Sequence, residues 1–547
     1  MAFVRRVRTP SGASGVQVVE YVSPGRQRVV KYIGSAHTPA ELGVLMGAAR
    51  EFLRAYDQPG QGVLDLDVQV EHVVELVAEP GQDVLLDVDQ RSPVAPVVAA
   101  PGRVVGTASR LLFDVIASVY DDLGFGALDD DVFRDLVIAR VVEPTSLLDV
   151  ERVLIDLGHT PTPYISLRRT LKRAQSGEYR DRLASLCFDH AVAHGDVSLV
   201  LYDITTLHWE AEKEDGLRKV GYSKERRVDP QILVGLLVDR RGFPLEIACF
   251  EGNKAEQLTL VTVIDTFKAR HGIENMVVVA DAGMLSAFNL ARLDEAGYRF
   301  IVGSRATKAP LDLESHFRWH GTYFVDGQII DTITPKTGRK SISDPATRAE
   351  PVWDPTTHDG AWRAVWAYSQ KRAARDNKTL TLQENRANEV IAGHKAARTP
   401  RFVKIDGDSR RLDTAALARA RRVVGLKGYV TNMPATVMPA AEVIASYHDL
   451  WNVEQSFRMS KSDLAARPMF ARKRDAIEAH LTIVFAALAI SRTIQNRTGL
   501  ALRRVLRTLR PLRSATIAIN GAIQTFPPDL NADQQALVDA LVTHQSK

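Results

Sequence analysis

Between residues 196 and 304 the sequence alternates short apolar runs with helical segments in one order. Three runs rich in β-formers come first: DVSLVLYDITTLHWE, QILVGLLVD and FPLEIACFEG. The runs MVVVAD and RFIVGS follow, each after a segment with helical periodicity. A tight turn at residues 240–242 predicts a hairpin between the second and third runs. The order β-β-β-α-β-α-β predicts an α/β fold, with a mixed sheet and helices on its faces.

This order is the ribonuclease-H-like arrangement, and the remaining segments are predicted to be built around it. The periodicity breaks off after residue 304 and resumes as helix near residue 433. The expected organisation is a small β-meander with a helix and a connector at 1–107, a helical and candidate DNA-binding domain at 108–195, the first part of the core at 196–304, a β-rich insertion domain at 305–432, core helices at 433–500 and a basic tail at 501–547.

Composition excludes several classes of protein. With 45% hydrophobic and 25% charged residues, the chain has the composition of a globular protein. Two cysteines cannot form a disulfide framework or a cysteine-based metal cluster. The longest apolar run, Leu481–Ile490, is about half the roughly 20 residues that a bilayer requires. Together with a start that lacks a signal-peptide pattern, these features predict a soluble protein of a reducing compartment, without a membrane partner.

Positive charge is concentrated in the predicted insertion. Residues 305–427 contain 23 Lys and Arg but 14 Asp and Glu, whereas the whole chain has a net charge of only +4. A basic segment in an otherwise acidic chain indicates a polyanion as partner, because neutralised phosphates supply much of nucleic-acid affinity. A solvated surface with unbalanced charge explains the same counts equally well.

Two aspartates follow buried strands directly. Asp203 comes at the end of LVLYD and Asp281 at the end of MVVVAD. Strand ends open onto the edge of an α/β sheet, where ligands bind, and a poorly hydrated carboxylate needs a cation or a donor. Each aspartate alone could cap the turn that follows it. The pair, on strands that are neighbours in this arrangement, predicts a shared divalent-metal site.

A third carboxylate is predicted on a later helix. Tyr447, Glu454 and Lys461 are spaced seven residues apart, which places all three on one face of a helix. An amphipathic core helix with ordinary surface charges is the alternative. The mixture of tyrosine, carboxylate and lysine along one stripe favours a site.

These motifs resemble those of the DDE transposases of bacterial insertion sequences. YDITT, VVVADAG and the Tyr447–Glu454–Lys461 spacing are similar to a branch with a Tyr-x2-Arg-x3-Glu-x6-Lys signature and a β-rich insertion domain. GYSKERR at 221–227 and EGNKAEQLTL at 251–260 resemble the same branch. Leu450 occupies the signature's arginine position, and Arg458, one turn after the glutamate, is a candidate replacement.

The resemblance implies a site and a reaction. Asp203, Asp281 and Glu454 would be the catalytic residues and the ligands of Mg²⁺, for which Mn²⁺ can substitute. Tyr447 and Lys461 would contact the terminal phosphates. The expected function is DNA cleavage at transposon ends and strand transfer into target DNA, as in cut-and-paste transposition. The partners would be double-stranded DNA, namely terminal inverted repeats and target DNA, and a second copy of the chain in a homodimeric synaptic complex. The resemblance also implies a location in the bacterial cytoplasm, in association with the nucleoid.

Further DNA contacts are predicted in the insertion. Lys371, Arg372, Arg375 and Lys378 are candidates for phosphate binding. Related transposases stack a flipped base on an aromatic residue of this region, for which Trp319 and Trp353 are candidates. Trp362 and Trp366 alternate with smaller residues, so we expect both to face a sheet core.

Two other functions are compatible with these residues. A ribonuclease-H-like nuclease that cuts without strand transfer would use the same carboxylates. A non-catalytic DNA-binding protein derived from a transposase is the third possibility, and the intact acidic residues argue against it.

Overall fold

The computed structural model describes the N-terminal strands and most of the chain beyond residue 101. The described residues are 2–8, 14–23, 26–36, 45–46, 49, 52–53, 102–195, 197–209, 214–221, 229–255, 259–273, 275–284, 287–338, 346–395, 401–406, 409–466, 471, 473–519 and 522–542. Most of the predicted helix at 38–56 and of the connector at 57–107 lies outside them, as does most of GYSKERR. The chain forms two compact units, one of residues 1–105 with 516–524 and one of residues 106–515 with 525–547.

The first unit contains the predicted β-meander. Strands β1 (Ala2–Arg8), β2 (Ser14–Ser23) and β3 (Arg26–Ala36) pair antiparallel in the order β1-β2-β3. Val16 and Val18 are fully buried on one face, as alternation of apolar and polar residues requires. The chain also has a three-stranded sheet, whose middle strand is β15 (Ser514–Ile519), flanked by β4 (Arg103–Ala108) and β16 (Ala522–Phe526).

An eight-stranded mixed sheet dominates the second unit. Its strands are β5 (Leu199–His208), β6 (Gln231–Asp239), β7 (Pro244–Glu251), β8 (Val277–Ala280), β9 (Arg299–Ser304), β10 (Ile329–Pro335), β11 (Ala361–Tyr368) and β14 (Leu426–Thr431). They are arranged as β10-β11-β14-β9-β8-β5-β6-β7. β5 pairs parallel with β8, and β8 with β9, while the other pairs are antiparallel.

The predicted order of elements from β5 to β9 is confirmed. β6 and β7 form the predicted hairpin around Gly242, which has a φ of +83° that favours glycine. β6 is buried almost from end to end, as expected for an apolar run that is covered on both faces.

The predicted insertion does not build a sheet of its own from its longer strands. β10, β11 and β14 continue the core sheet, because β14 pairs antiparallel with β9. Trp362 and Trp366 are buried on this part of the sheet, which confirms the prediction for both. The rest of the segment contains a 22-residue helix and a small hairpin of β12 (Val403–Asp406) and β13 (Ser409–Leu412).

Helices cover the sheet and form the predicted helical domain. The α-helices are α1 (Arg110–Asp122), α2 (Asp131–Val142), α3 (Val150–Asp156), α4 (Tyr164–Ser176), α5 (Tyr179–His194), α6 (Thr259–His271), α7 (Ala287–Glu295), α8 (Ala309–Asp312), α9 (Glu314–Trp319), α10 (Gln370–Ile391), α11 (Thr414–Arg422), α12 (Ala440–His448), α13 (Trp451–Arg458), α14 (Arg474–Thr498), α15 (Leu502–Leu509) and α16 (Ala532–Leu541).

Helix α14 connects the helical domain to the sheet. It packs against α1, α2, α4 and α5 on one side and against β7 on the other. Its length and apolar composition alone would allow it to cross a bilayer, but 89% of its most apolar window is buried inside the protein. The helix is thus packed as the core helix of a globular unit.

The predicted basic tail forms helices and strands in its described residues, 501–519 and 522–542. Leu502, Val505 and Leu509 form a buried stripe along α15, while Arg503, Arg504 and Arg507 are exposed. Apolar residues at this spacing bury one helix face although three of the positions between them are arginine. The described part of the tail therefore contributes two helices and two strands.

Candidate active site

Asp203 and Asp281 lie next to each other on neighbouring parallel strands. The last paired residues of β5 and β8 are Tyr202 and Ala280, so that the next residue on each strand is an aspartate. Paired positions of adjacent strands share a face, which puts both carboxylates on the same side of the sheet. β5 continues along β6 to His208. Asp203 therefore lies where β8 stops, and not at the end of its own strand as expected.

Hydrogen-bond donors and a nearby cation surround Asp281. The phenol of Tyr447 donates to Asp281 Oδ1 over 2.8 Å. Burial alone would raise the pKa of the Asp281 carboxyl, but donation from Tyr447 and from the backbone N–H groups of Ala282 and Gly283, with the charge of Lys427, holds it below its ordinary value. Asp281 is therefore ionised at neutral pH, as a ligand for a cation must be.

Tyr447 reaches Asp281 across strand β9. Gly303 follows Val302, which pairs with Ala280, and a Cβ atom on Gly303 would lie 2.4 Å from Tyr447 Oη. A glycine is required here because any larger residue would displace the phenol. Burial, followed by the charge of Asp281, raises the pKa of Tyr447 far above its ordinary value, so the phenol remains a donor.

Glu454 lies on α13, which packs against β5 and β6. Its side chain is exposed, and its carboxylate has no hydrogen-bond or ion-pair partner within the part of the chain that the structure describes. Among the described residues, no three His, Cys, Asp or Glu side chains are close enough together to hold a metal ion. The structure thus brings Asp203 and Asp281 together and places Glu454 on the helix that packs beside Asp203.

The single helix predicted from Tyr447 to Lys461 is interrupted. Tyr447 belongs to α12, Glu454 to α13, and Lys461 to a π-helical turn at Met459–Asp463. The interruption is a tight turn, in which Leu450 N–H donates to Tyr447 O and Asn452 N–H to Asp449 O. The three residues are therefore not one stripe of a regular helix, and Tyr447 and Lys461 approach the sheet separately.

Lys461 approaches the face of β5 that carries Asp203. Its ammonium donates to Thr205 Oγ1, and Thr205 lies two residues beyond Asp203, on the same side of the strand. Arg458 is exposed on α13, whereas Leu450 is buried. The ammonium of Lys461 thus contacts β5 two residues beyond Asp203, on the side of the strand that carries it.

A buried arginine that the sequence analysis did not identify holds the Glu454 helix in place. Arg492, on α14, is 2% exposed and donates to Gly242 O, Arg241 O and Gln455 Oε1 at distances of 3.0, 2.8 and 2.7 Å. Burial lowers its pKa to about 10, so it remains charged. Arg492 therefore ties the β6–β7 turn to the residue next to Glu454.

The β6–β7 turn is fastened to α13 by further hydrogen bonds. Ser456 Oγ donates to Gly242 O over 2.8 Å, and Asn452 Nδ2 donates to Arg240 O over 2.9 Å. A Cβ atom on Gly242 would lie 1.7 Å from Arg492 Nη2. Only a glycine leaves room for the guanidinium. The turn therefore both reverses the chain and binds Arg492. No local motif in the sequence links these distant residues.

The predicted DNA-binding residues of the insertion occupy two kinds of environment. Lys371, Arg375 and Lys378 are exposed along α10, and Arg372 is half-buried at its start. Trp319 is 43% exposed, and the guanidinium of Arg348 lies 5.2 Å from its ring centre.

Trp353 does not fit the predicted stacking role in this structure. It is 7% exposed and donates from Nε1 to Ala361 O over 3.0 Å. It packs with Ile333 and Ala361 in a small apolar cluster. Its indole is therefore a core group, and Trp319 is the remaining candidate for stacking on a base.

Lys427 is a second residue near the acidic pair that the sequence analysis missed. It lies on β14, half-buried, with its ammonium 3.4 Å from Tyr447 Oη and 4.9 Å from the centre of that ring. The only signal in the sequence is a lysine within the apolar run GLKGYVTNM. Its position beside Tyr447 arises from pairing of β14 with β9, which no local pattern specifies.

Comparison with known proteins identifies the family of this chain. Residues 195–490 match the family described as Transposase DDE domain. No curated protein matches the chain. Among solved structures, the chain is similar to a piggyBac transposase in a synaptic complex with hairpin DNA, at 10% sequence identity and a TM-score of 0.35, over 74% of this chain and 78% of that one. The family match spans more than half of the sequence and contains Asp203, Asp281 and Glu454. The chain belongs to the DDE transposase family.

Proposed function

We propose that this protein cleaves DNA at the ends of a transposable element and transfers the freed strands into target DNA, in a reaction that depends on Mg²⁺ or Mn²⁺. The observation that carries the proposal is the in-register pair Asp203 and Asp281, with Asp281 kept ionised by Tyr447. The order of β5 to β9 supports a ribonuclease-H-like core for this reaction. Family membership supports the general class of enzyme.

The acidic residues suit divalent metal ions by their chemistry. Asp203, Asp281 and Glu454 offer only carboxylate oxygens, the ligands that Mg²⁺ and Mn²⁺ prefer. When bound, a pair of such ions supplies the charge that activates a water or a 3′-hydroxyl and stabilises the oxygen that leaves. Asp203 and Asp281 would hold them from the sheet and Glu454 from α13.

The remaining residues position the substrate. The ammonium of Lys461 at Thr205 would hold a phosphate of the transposon end beside Asp203. The hydrogen bond from Tyr447 positions Asp281. The hydrogen bonds from Arg492 to Gly242 and Gln455 hold α13 against the β6–β7 turn. The exposed lysine and arginine side chains of α10 would bind the backbone of duplex DNA. Two copies of the chain would hold the two transposon ends together.

A cleavage and strand-transfer assay tests the proposal. The substrates are duplexes that carry the inverted repeats flanking the coding region, with a supercoiled plasmid as target. Asp203→Asn, Asp281→Asn and Glu454→Gln should each lower cleavage by at least about 10²–10³-fold, the size of effect seen when one charge-stabilising group is removed. Binding to the ends should persist, since each change removes a charge with little change in shape.

Asp475→Asn, which alters an exposed aspartate on α14, serves as the control and should cleave at the wild-type rate. Wild-type cleavage by any of the three carboxylate variants would remove that residue from the site. Cleavage of the ends without any strand transfer would instead identify a nuclease.

A further inference from the structure

Lys427 is a cation in an unusual position. It pairs with Ala367 on β11. The next residue, Gly428, pairs with Ser304 on β9. Among the described residues, the contacts of its ammonium are with Tyr447, and no carboxylate lies within ion-pair distance of it. Tyr447 Oη accepts a hydrogen bond from the ammonium over 3.4 Å and donates one to Asp281 Oδ1 over 2.8 Å, so the phenol links Lys427 to Asp281.

A second cation, Arg372, lies at the start of α10, which is hydrogen-bonded to the chain two residues before Lys427. Its position at the start of α10 is fixed by packing, because Ser369 N–H donates to Gly425 O over 3.0 Å and Gly425 N–H donates to Asp376 Oδ2 over 3.2 Å. The charge of Arg372 acts on both Lys427 and Tyr429. α10 thus brings one of its four candidate DNA-binding residues to the edge of the acidic site.

Burial, more than the charge of Arg372, makes Lys427 a cation that is poorly stabilised. Burial lowers the pKa of Lys427, the charge of Asp281 raises it, and the charge of Arg372 lowers it again, so that it lies below its ordinary value. A partly desolvated ammonium in such a place is stabilised when an anion binds. A phosphate bound at this ammonium would therefore offset part of the cost of its burial.

We infer that Lys427 and Arg372 together bind one backbone phosphate of the transposon end, next to the bond that is cut. The inference rests on the proposed function and adds a phosphate site to it. Lys427 supplies a point charge and Arg372 a planar fork, and together they suit a phosphodiester with two free oxygens.

The location of this site defines the path of the DNA strand. Lys461 contacts β5, on one side of the acidic pair, whereas Lys427 lies on the β9 side with Tyr447. The strand would therefore cross the end of the sheet above β8, with one phosphate held on each side of Asp203 and Asp281. This arrangement would hold the scissile phosphate between the two contacts.

Replacement of single phosphates tests the inference. The probes are inverted-repeat duplexes in which one phosphate at a time around the cleavage position is an uncharged methylphosphonate, and affinity is measured with Ca²⁺ to prevent cleavage. In the wild type, one methylphosphonate beside the cut should weaken binding about tenfold, the loss expected for one hydrogen bond to a charged group. In Lys427→Met the loss caused by that same methylphosphonate should be much smaller, with the remainder due to Arg372.

Conservative and control variants separate contact from folding. In Lys427→Arg, the methylphosphonate at this position should again weaken binding as it does in the wild type. In Arg372→Gln, the loss of affinity should be smaller at this phosphate and unchanged at the others. Lys427→Gln provides a second neutral variant if Lys427→Met does not fold. Lys404→Met, which alters an exposed lysine on β12, should keep the wild-type profile.

The two proposals fail in different ways. A phosphate profile that is unchanged in both neutral Lys427 variants, while the wild type cleaves the ends, overturns this inference alone. Wild-type protein that neither binds nor cleaves the ends contradicts the proposed function and this inference with it.

Discussion

Tyr447 Oη lies 2.8 Å from Asp281 Oδ1 and donates a hydrogen bond to that carboxylate. The contact joins α12 to the end of β8 and passes over Gly303 of β9. The resemblance to related transposases assigned Tyr447 to a terminal phosphate, a role that remains a prediction. In the structure, the partner of its hydroxyl is the acidic residue itself, which makes Tyr447 a positioning residue for Asp281.

Tyr447→Phe should shift the acid limb of the cleavage rate to higher pH. The hydrogen bond from Tyr447 helps to hold the pKa of Asp281 below its ordinary value, so its loss lets that pKa rise. A hydrogen bond to a charged group contributes about 1.5–3 kcal/mol, so the shift of the acid limb should be large enough to measure. The measurement is the single-turnover cleavage rate between pH 5 and 8.

The same change has a matching effect on stability. Because the pKa of Asp281 is depressed in the folded protein, its contribution is present above the unfolded value of 3.8 and is lost as pH falls through the folded value. Tyr447→Phe should remove part of this contribution. Tyr429→Phe is the control, since its hydroxyl lies 3.4 Å from His448 Nε2 and not at Asp281. An acid limb that does not move in Tyr447→Phe contradicts the role given to the hydrogen bond.

Arg492→Met should destabilise the protein and slow cleavage. The change leaves Gly242 O, Arg241 O and Gln455 Oε1 with fewer partners, and each buried group left unsatisfied costs about 1–3 kcal/mol. We expect the free energy of unfolding to fall by about 2–4 kcal/mol, measured by urea denaturation. Arg504→Met, at an exposed position of α15, should change it by less than about 0.5 kcal/mol.

Arg492→Lys distinguishes positioning from stability alone. A lysine retains the charge but cannot reach three acceptors at once, so α13 should lose its fixed position on the turn. The Mg²⁺ concentration for half-maximal cleavage should rise, since Glu454 would be held less firmly. An unchanged Mg²⁺ dependence in a folded Arg492→Lys protein would limit this arginine to a role in stability.

Neutralising the exposed lysine and arginine side chains of α10 should reduce the salt dependence of DNA binding. On duplex DNA the logarithm of the affinity falls by about 0.9 per neutralised phosphate for each unit in the logarithm of salt. Changing Lys371, Arg375 and Lys378 to glutamine should therefore lower that slope by up to about 2.7. The check is a binding series between 50 and 300 mM KCl. A slope equal to that of the wild type would mean that this face of α10 is only solvated.

Lys461→Ala should weaken recognition of a cut end in particular. Its ammonium, held at Thr205 near Asp203, is expected to bind the terminal 5′-phosphate. Removing that phosphate from a pre-cleaved duplex should cost the wild type about tenfold in affinity and should cost Lys461→Ala almost nothing. Thr205→Val tests whether the threonine positions the lysine. Equal phosphate dependence in wild type and Lys461→Ala would make Lys461 an ordinary surface lysine.

The central strands could be predicted because each is an apolar run bounded by turn residues. β5 to β9 follow this pattern, and the two aspartates were placed correctly as neighbours on β5 and β8. The seven-residue spacing of Tyr447, Glu454 and Lys461 was less informative. A regular helix was the simplest structure for it, but Asp449, which pairs with Arg240 on the β6–β7 turn, lies in a tight turn that divides the segment.

The contacts that could not be predicted join residues far apart in the chain. Lys427 meets Tyr447, and Arg492 meets Gly242, only after the strands have paired and the helices have packed. Burial of Trp353 has the same origin, because its partners Ile333 and Ala361 lie on two different strands. Composition and periodicity describe the environment that a residue prefers, and they do not specify which distant residue will provide it.

The pairing of β14 with β9 has a consequence for any attempt to shorten this protein. Removing residues 305–432 would expose residues 301–304 of β9 as a new sheet edge, with Ile301 and Val302 among them. An apolar edge strand with unsatisfied backbone groups is a template for intermolecular pairing, so the trimmed enzyme would aggregate. A minimal transposase derived from this chain must therefore retain β14, or replace it with a charged or proline-bearing cover.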